Sequence, residues 1–258
     1  MALNKLVLET DGLVVGNGQL IAQGGGIGIS NNLVVSGNLY ANSFNNFKLP
    51  STTLSNTAIP GTFEYDGTAL YGTSLLGQRG VIPGYQYIRL ENGWVGSQIT
   101  TAQGVFGQGL SGVGVGVNLS SNTIYQFEAL YSFYKPVGTN SHTFSLAFGG
   151  SAILNNISYL DIEGDAGATI PYTLTGAPRT SFIASAAASA ATGGLTSATQ
   201  VVYRLLRGSV SIKAGGSFIP QYVLSAAPGG VYTTQPGSYF AIYPVGVSGN
   251  NTTIGSWS

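Results

Sequence analysis

Residues 123–135, TIYQFEALYSFYK, repeat with a period of two. Tyr125, Phe127, Ala129, Tyr131 and Phe133 fall on one side of an extended chain, with Gln126, Glu128 and Ser132 on the other. On a helix the same side chains would scatter round the circumference, so only a sheet buries them together. Such a strand needs a second layer to cover its apolar side. Other segments share the period. Phe144, Leu146 and Phe148 alternate with Thr143, Ser145 and Ala147, while Leu206, Val210 and Ile212 alternate with Arg207, Ser209, Ser211 and Lys213. Val113, Val115 and Val117 alternate with glycines, and residues 217–224 and 239–245 read as further strands. Asp66-Gly67, Asn92-Gly93 and Gly215-Gly216 supply turn signals. Only 181–191, SFIASAAASAA, has helical propensity; its small residues, bracketed by Thr and Gly, read as loop or strand. The expectation is an all-β protein ending in an antiparallel β-sandwich, a jelly roll.

Composition narrows the function classes. Charged residues make up 7% of the chain, against about 25% in an ordinary globular domain. With 43% hydrophobic residues, 15 Tyr and 11 Phe, there is enough apolar surface to fold despite 39 glycines. Charge-poor strands leave sheet edges open to aggregation, and closed or oligomeric architecture removes those edges. The net charge is zero and the nine basic residues are scattered, Arg204 and Arg207 being the nearest pair. That leaves no footprint for nucleic acid or anionic lipid. Cysteine is absent, which removes disulfides, thiolate catalysis and cysteine metal ligands together. No run of about 18 apolar residues occurs, so no membrane insertion is expected. Residues 1–8 carry one lysine and no long apolar stretch, so no secretory signal is expected. Assembly in a reducing cytoplasm fits the missing cysteines.

Three regions follow from the pattern. Residues 1–47 carry an internal echo: LVVGNGQL at 13–20 returns as LVVSGNLY at 33–40, with alternating Gly and Ile between. Strands this thin cannot bury a face alone, so the region is expected to form an intertwined β stem among three chains, and to anchor the molecule. Residues 48–93 form a linker and hairpin joint: KLPSTTLSNTAIP is an extended strap, and Thr62-Phe63-Glu64-Tyr65 turns through Asp66-Gly67 to return at Leu70-Tyr71. Residues 94–258 form the sandwich head.

Few side chains could carry chemistry. The one histidine, His142, sits in a turn-like stretch and reads as an exposed loop residue, with no G-x-S-x-G elbow to make it a catalytic base. Asp161, Glu163 and Asp165 share one face of an extended strand; three carboxylate oxygens make them a weak calcium candidate, although a solvated acidic segment needs no metal. Glu64 and Asp66 could mimic a glycosidase pair, but they flank a hairpin turn that already accounts for them. The glycine runs at 24–28 and 104–116 lack the Gly-Lys-Ser/Thr ending of a phosphate loop. No catalytic residue and no cofactor is therefore expected. Tyrosines remain: Tyr85, Tyr87, Tyr134, Tyr172, Tyr203, Tyr222 and Tyr232 include candidates for exposed rings that stack on sugars.

PGTFEYDG at 60–67, Arg79-Gly80-Val81-Ile82-Pro83, Tyr87-Ile88-Arg89-Leu90 and the closing GSYFAIYPVG at 237–246, with Gly255-Ser256-Trp257-Ser258, resemble a family of phage virion proteins, cyanophage members included. Residues 31–44 resemble phage fibre shafts. More loosely, the head is similar to trimeric C1q/TNF-like jelly rolls, with Thr123-Ile124-Tyr125-Gln126-Phe127 matching the strand that begins the core and 238–244 the last one. In that fold aromatic residues line the threefold axis and the sandwich interior. The resemblance implies a non-enzymatic homotrimer on the virion surface, assembled in the host cytoplasm. Its stem would hold other virion proteins, and its head would contact host surface glycans as a short fibre on the tail or baseplate. The same resemblance leaves open a capsid decoration protein, of cement or head-fibre type, gripping capsomers through its N-terminal arm. Deleting residues 1–47 should leave a head that melts cooperatively by circular dichroism but is missing from purified particles on immunoblots.

Overall fold

The computed structural model describes residues 48–75, 78–107, 114–166, 179–183, 194–249, 251, 253 and 254. The expected stem at 1–47, Val113, Tyr172 and residues 184–193 lie outside them, as does the side chain of Asp165. Among the described residues every regular element is a strand, numbered here in chain order.

The alternating segment becomes β8 (Thr123–Lys135), with its odd-numbered side chains buried. It lies within an eight-stranded sheet. On one flank it pairs with β12 (Gln200–Ala214), which leads on to β10 (Ile153–Ala166) and β11 (Arg179–Ile183). On the other flank its first part pairs with β15 (Tyr239–Val247) and its end with β14 (Thr233–Thr234). β4 (Gln86–Arg89) adds to β15, and β5 (Trp94–Val95) to β14. A four-stranded sheet gathers β6 (Gln103–Gly104), β7 (Val117–Leu119) and β9 (Phe144–Gly149) on β13 (Gly216–Leu224). A third, small sheet holds β1 (Phe63–Tyr65), β2 (Leu70–Leu75) and β3 (Gln78–Ile82). All these pairings are antiparallel.

The core lies where the eight- and four-stranded sheets meet. Phe127 on β8 contacts the rings of Phe148, Tyr159, Phe218 and Phe240, while Phe133 lies 4.6 Å from Phe144 and 5.4 Å from Tyr222. Phe144 and Tyr222 stack at 5.0 Å within the four-stranded sheet. The sandwich-like layering expected from the alternation is therefore present. Gly208 on β12 pairs with both Phe127 and Tyr159. A Cβ there would strike the Ser158 carbonyl and Tyr159 Cβ, so only glycine admits the rings on either side.

The local signals played out in different ways. Asp66-Gly67 makes the expected hairpin, with Gly67 at φ +93° and Tyr65 opposite Leu70. Residues 49–60 form no strand; the Thr52 amide donates to the Tyr65 carbonyl and the Ser55 amide to Glu64 Oε1, which holds this segment against the hairpin. Asn92-Gly93 turns the chain without joining a hairpin: β4 before it pairs with β15, and β5 after it pairs with β14. The sandwich sheet thus takes β4 from upstream of residue 94, and residues from Leu49 onward form one compact unit. Gly215 carries the chain from one sheet to the other, since β12 and β13 do not pair.

Phe127→Ala should remove the ring that touches both layers and lower the unfolding free energy by about 3–5 kcal/mol. The check is a lower urea midpoint with an unchanged slope.

Candidate functional site

The even-numbered side chains of β8 point away from the core, onto the outer face of the eight-stranded sheet. Register aligns residues on that face in rows. One row is Leu160, Arg207, Glu128 and Ala241; the next is Ser158, Ser209, Gln126 and Tyr243. On the opposite side of the first row lie Ile162, Leu205, Leu130 and Tyr239. Leu130, Leu160 and Leu205 are each more than a third exposed.

A cleft of about 530 Å³ opens over the first two rows, walled by Tyr85 just ahead of β4. Tyr85 meets Tyr243 edge-on, with ring centroids 4.7 Å apart. The Tyr243 hydroxyl donates to Gln126 Oε1 at 2.6 Å, which fixes the ring over β8. Partial burial raises the Tyr243 pKa, so the phenol remains a neutral donor. Arg207 Nη2 stands 3.6 Å from Glu128 Oε2 with its side chain 83% exposed. Beside them, Tyr87 stacks on Tyr239 at 5.6 Å. A second hollow of about 840 Å³ adjoins, sharing Gln126, Ser209 and Tyr243 and otherwise walled largely by Val81, Pro83, Ile124 and Val245.

Of the acidic cluster, Asp161 and Glu163 do share a strand face, but it is the inner one. Both are buried on β10 beside Arg204 of β12, itself fully buried. Arg204 Nη2 lies 3.0 Å from Asp161 Oδ2, and its Nη1 donates to Glu163 Oε2. The guanidinium thus supplies a positive charge that these two carboxylates face. Among the described residues no group of three or more His, Asp or Glu side chains gathers as a metal site would require. Burial, opposed by Arg204 and reinforced by Glu163, pushes the Asp161 carboxyl up to about 6. Arg204 and Arg207, neighbours in sequence, therefore face opposite sides of the sheet.

His142 is not an exposed loop residue. It is 2% exposed, and its backbone bridges to Leu195. Nδ1 lies 2.7 Å from the Asn140 carbonyl, which can only accept, so Nδ1 carries the proton and Nε2 accepts from the Tyr232 hydroxyl at 2.8 Å. Burial holds the imidazole below its ordinary pKa, and Lys135 adds to that. This is the bonding of a structural histidine. Glu64 is held by the Ser55 amide at 2.9 Å and Arg79 Nε at 2.7 Å. Asp66 accepts from the Thr68 and Ala69 amides and the Tyr71 hydroxyl. Both carboxylates thus serve the hairpin. Among the candidate tyrosines, Tyr85 and Tyr87 are 55% and 57% exposed, Tyr134 and Tyr203 are half-buried, and Tyr222 and Tyr232 belong to the core. Sequence reasoning passed over Tyr243, Gln126, Glu128 and Arg207 as site residues. Their shared outward parity was visible, but the pairing that gathers them was not.

No protein-family model matches the chain, nor does any curated protein or solved structure.

Arg204→Met should remove the cation facing both carboxylates and destabilise the fold by about 3–5 kcal/mol at pH 7.5. The loss should shrink at pH 4.5, where protonation of Asp161 discharges one of the two. Asp161 itself is raised in the fold, so its stabilising contribution is present below about pH 4 and is lost as pH rises through about 6. Urea titrations of Asp161→Asn against the parent should therefore shift in favour of Asn from pH 4.5 to 7.5. The opposite slope from His142 cancels in that difference.

Proposed function

We propose that this chain is a non-enzymatic structural protein of a phage virion, working as a homotrimeric short fibre on the tail or baseplate that attaches to the host surface. The observation that carries the attachment reading is the outer face of the eight-stranded sheet. It is rigid because β10, β12 and β8 are paired over most of their length. It also presents tyrosine rings, an amide, a carboxylate and a guanidinium together in one cleft. Such a face suits adhesion, where several weak contacts act together. Three heads per fibre and many fibres per particle convert weak sites into tight attachment.

The resemblance signatures support the virion part. PGTFEYDG forms the β1–β2 hairpin, and YFAIYPV runs along β15 between β8 and β4. In this reading the two sheets form a jelly-roll head, and residues 1–47 join three chains and hold them to the particle.

Immunogold labelling with antibody against the 123–249 region locates the protein on intact particles. Gold at the tail or baseplate is the expected result; gold over the capsid would make it a decoration protein, and unlabelled particles would remove the virion reading. Light scattering of the purified chain should give three times 26.5 kDa, and a monomer would remove the trimer.

A further inference from the structure

We infer that the cleft between Tyr85 and the strands β8, β10, β12 and β15 binds a neutral pyranose, the exposed sugar of a surface glycan. The inference rests on the attachment reading above and assigns its ligand. A pyranose presents an apolar C–H face and a fan of hydroxyls, each of which can both donate and accept. Its recognition calls for an aromatic ring beside mixed hydrogen-bonding groups. The cleft supplies both.

Tyr85 and Tyr243, packed edge to face, form the aromatic wall. Next to them stand Glu128, which only accepts, and Arg207, which only donates, 3.6 Å apart and able to bracket neighbouring hydroxyls. The Tyr243 hydroxyl occupies Gln126 Oε1, so the amide nitrogen of Gln126 is the end left to donate. Ser158 and Ser209 line the same space. One carboxylate and one guanidinium cancel, so the cleft has no net field for a phosphate, a uronic acid or another anionic ligand. A volume of about 530 Å³ lies within the usual range for small-ligand sites. Apart from Tyr85, its groups stand on paired strands, so little backbone ordering is lost on binding. A second copy of the chain fits this region less well. The most apolar row, with Leu130 and Leu205, lies beside the cleft, whereas in the cleft the rings and Leu160 are interspersed with Ser158, Ser209, Gln126, Glu128 and Arg207.

The test uses the full-length protein on immobilised oligosaccharides: neutral hexosides and N-acetylhexosaminides, uronic- and sialic-acid glycans, and sulfated glycans. The expected result is retention on neutral pyranosides, with dissociation constants then measured by titration. Tyr85→Ala and Arg207→Ala alter side chains that are more than half exposed, so melting should be unchanged. Each should weaken binding by about tenfold or more, while Tyr85→Phe retains most of it because the ring remains. Failure to retain any neutral sugar overturns the inference, as does retention of acidic glycans alone or unchanged binding by both alanine variants. A changed mass in light scattering for those variants would instead make this face a contact between copies, which also overturns it. Protein that labels particles but retains no sugar removes this inference alone. Protein that retains sugar but labels no particle removes the virion reading alone.

Discussion

The packing of Phe127 and Phe133 against rings from the facing sheet is the contact on which this molecule depends. Both phenylalanines belong to β8, which also pairs with β12, β14 and β15. One strand therefore joins the layers and spans much of the larger sheet. The two roles are linked by the pleat. Each inward ring on β8 fixes its neighbours to the outside, so Gln126 and Glu128 face outward because Phe127 faces inward. The cleft is thus placed by the core beneath it.

Polar groups inside this core act on alignment more than on stability. A one-residue slip of β12 would turn Arg204 outward and leave Asp161 and Glu163 facing apolar rings. That penalty disfavours the slipped pairing even though a buried ion pair adds little net stability in itself. Lys135 acts similarly at the end of β8. Its buried ammonium donates to the carbonyls of Val137, Gly138, Ser197 and Ala198, tying two loops to the strand. Burial lowers its pKa, and carbonyl dipoles rather than a carboxylate meet its charge. His142 makes a third tie, from the Asn140 loop to Tyr232.

Strand existence and facing were legible because period two is a local property. The alternation at 123–135 and the Asp66-Gly67 hairpin both turned out as read. Partnership was not legible, since it depends on residues far away. Asn92-Gly93 was a true turn signal, yet neither flanking strand pairs across it. Charge misled in a particular way. Arg204 shares parity with Leu206 and Val210, and Asp161 shares it with Ile157 and Tyr159, so alternation placed them inward while their charge suggested water. His142 was misread because its partner Tyr232 lies ninety residues on. The cleft was hidden for the same reason: Tyr85, Gln126, Ser158, Arg207 and Tyr243 come together only through the order of strands.

That order also gives the sheet a mechanical character. β4 lies antiparallel against β15, with Arg89, Ile88, Tyr87 and Gln86 opposite Tyr239, Phe240, Ala241 and Ile242. A pull directed along β4 loads these pairs in shear, so the ladder yields together instead of unzipping bond by bond. β15 passes the load across a longer ladder to β8, and β8 to β12. Tension along the strands would therefore spread through the sheet before any ring in the core has to move.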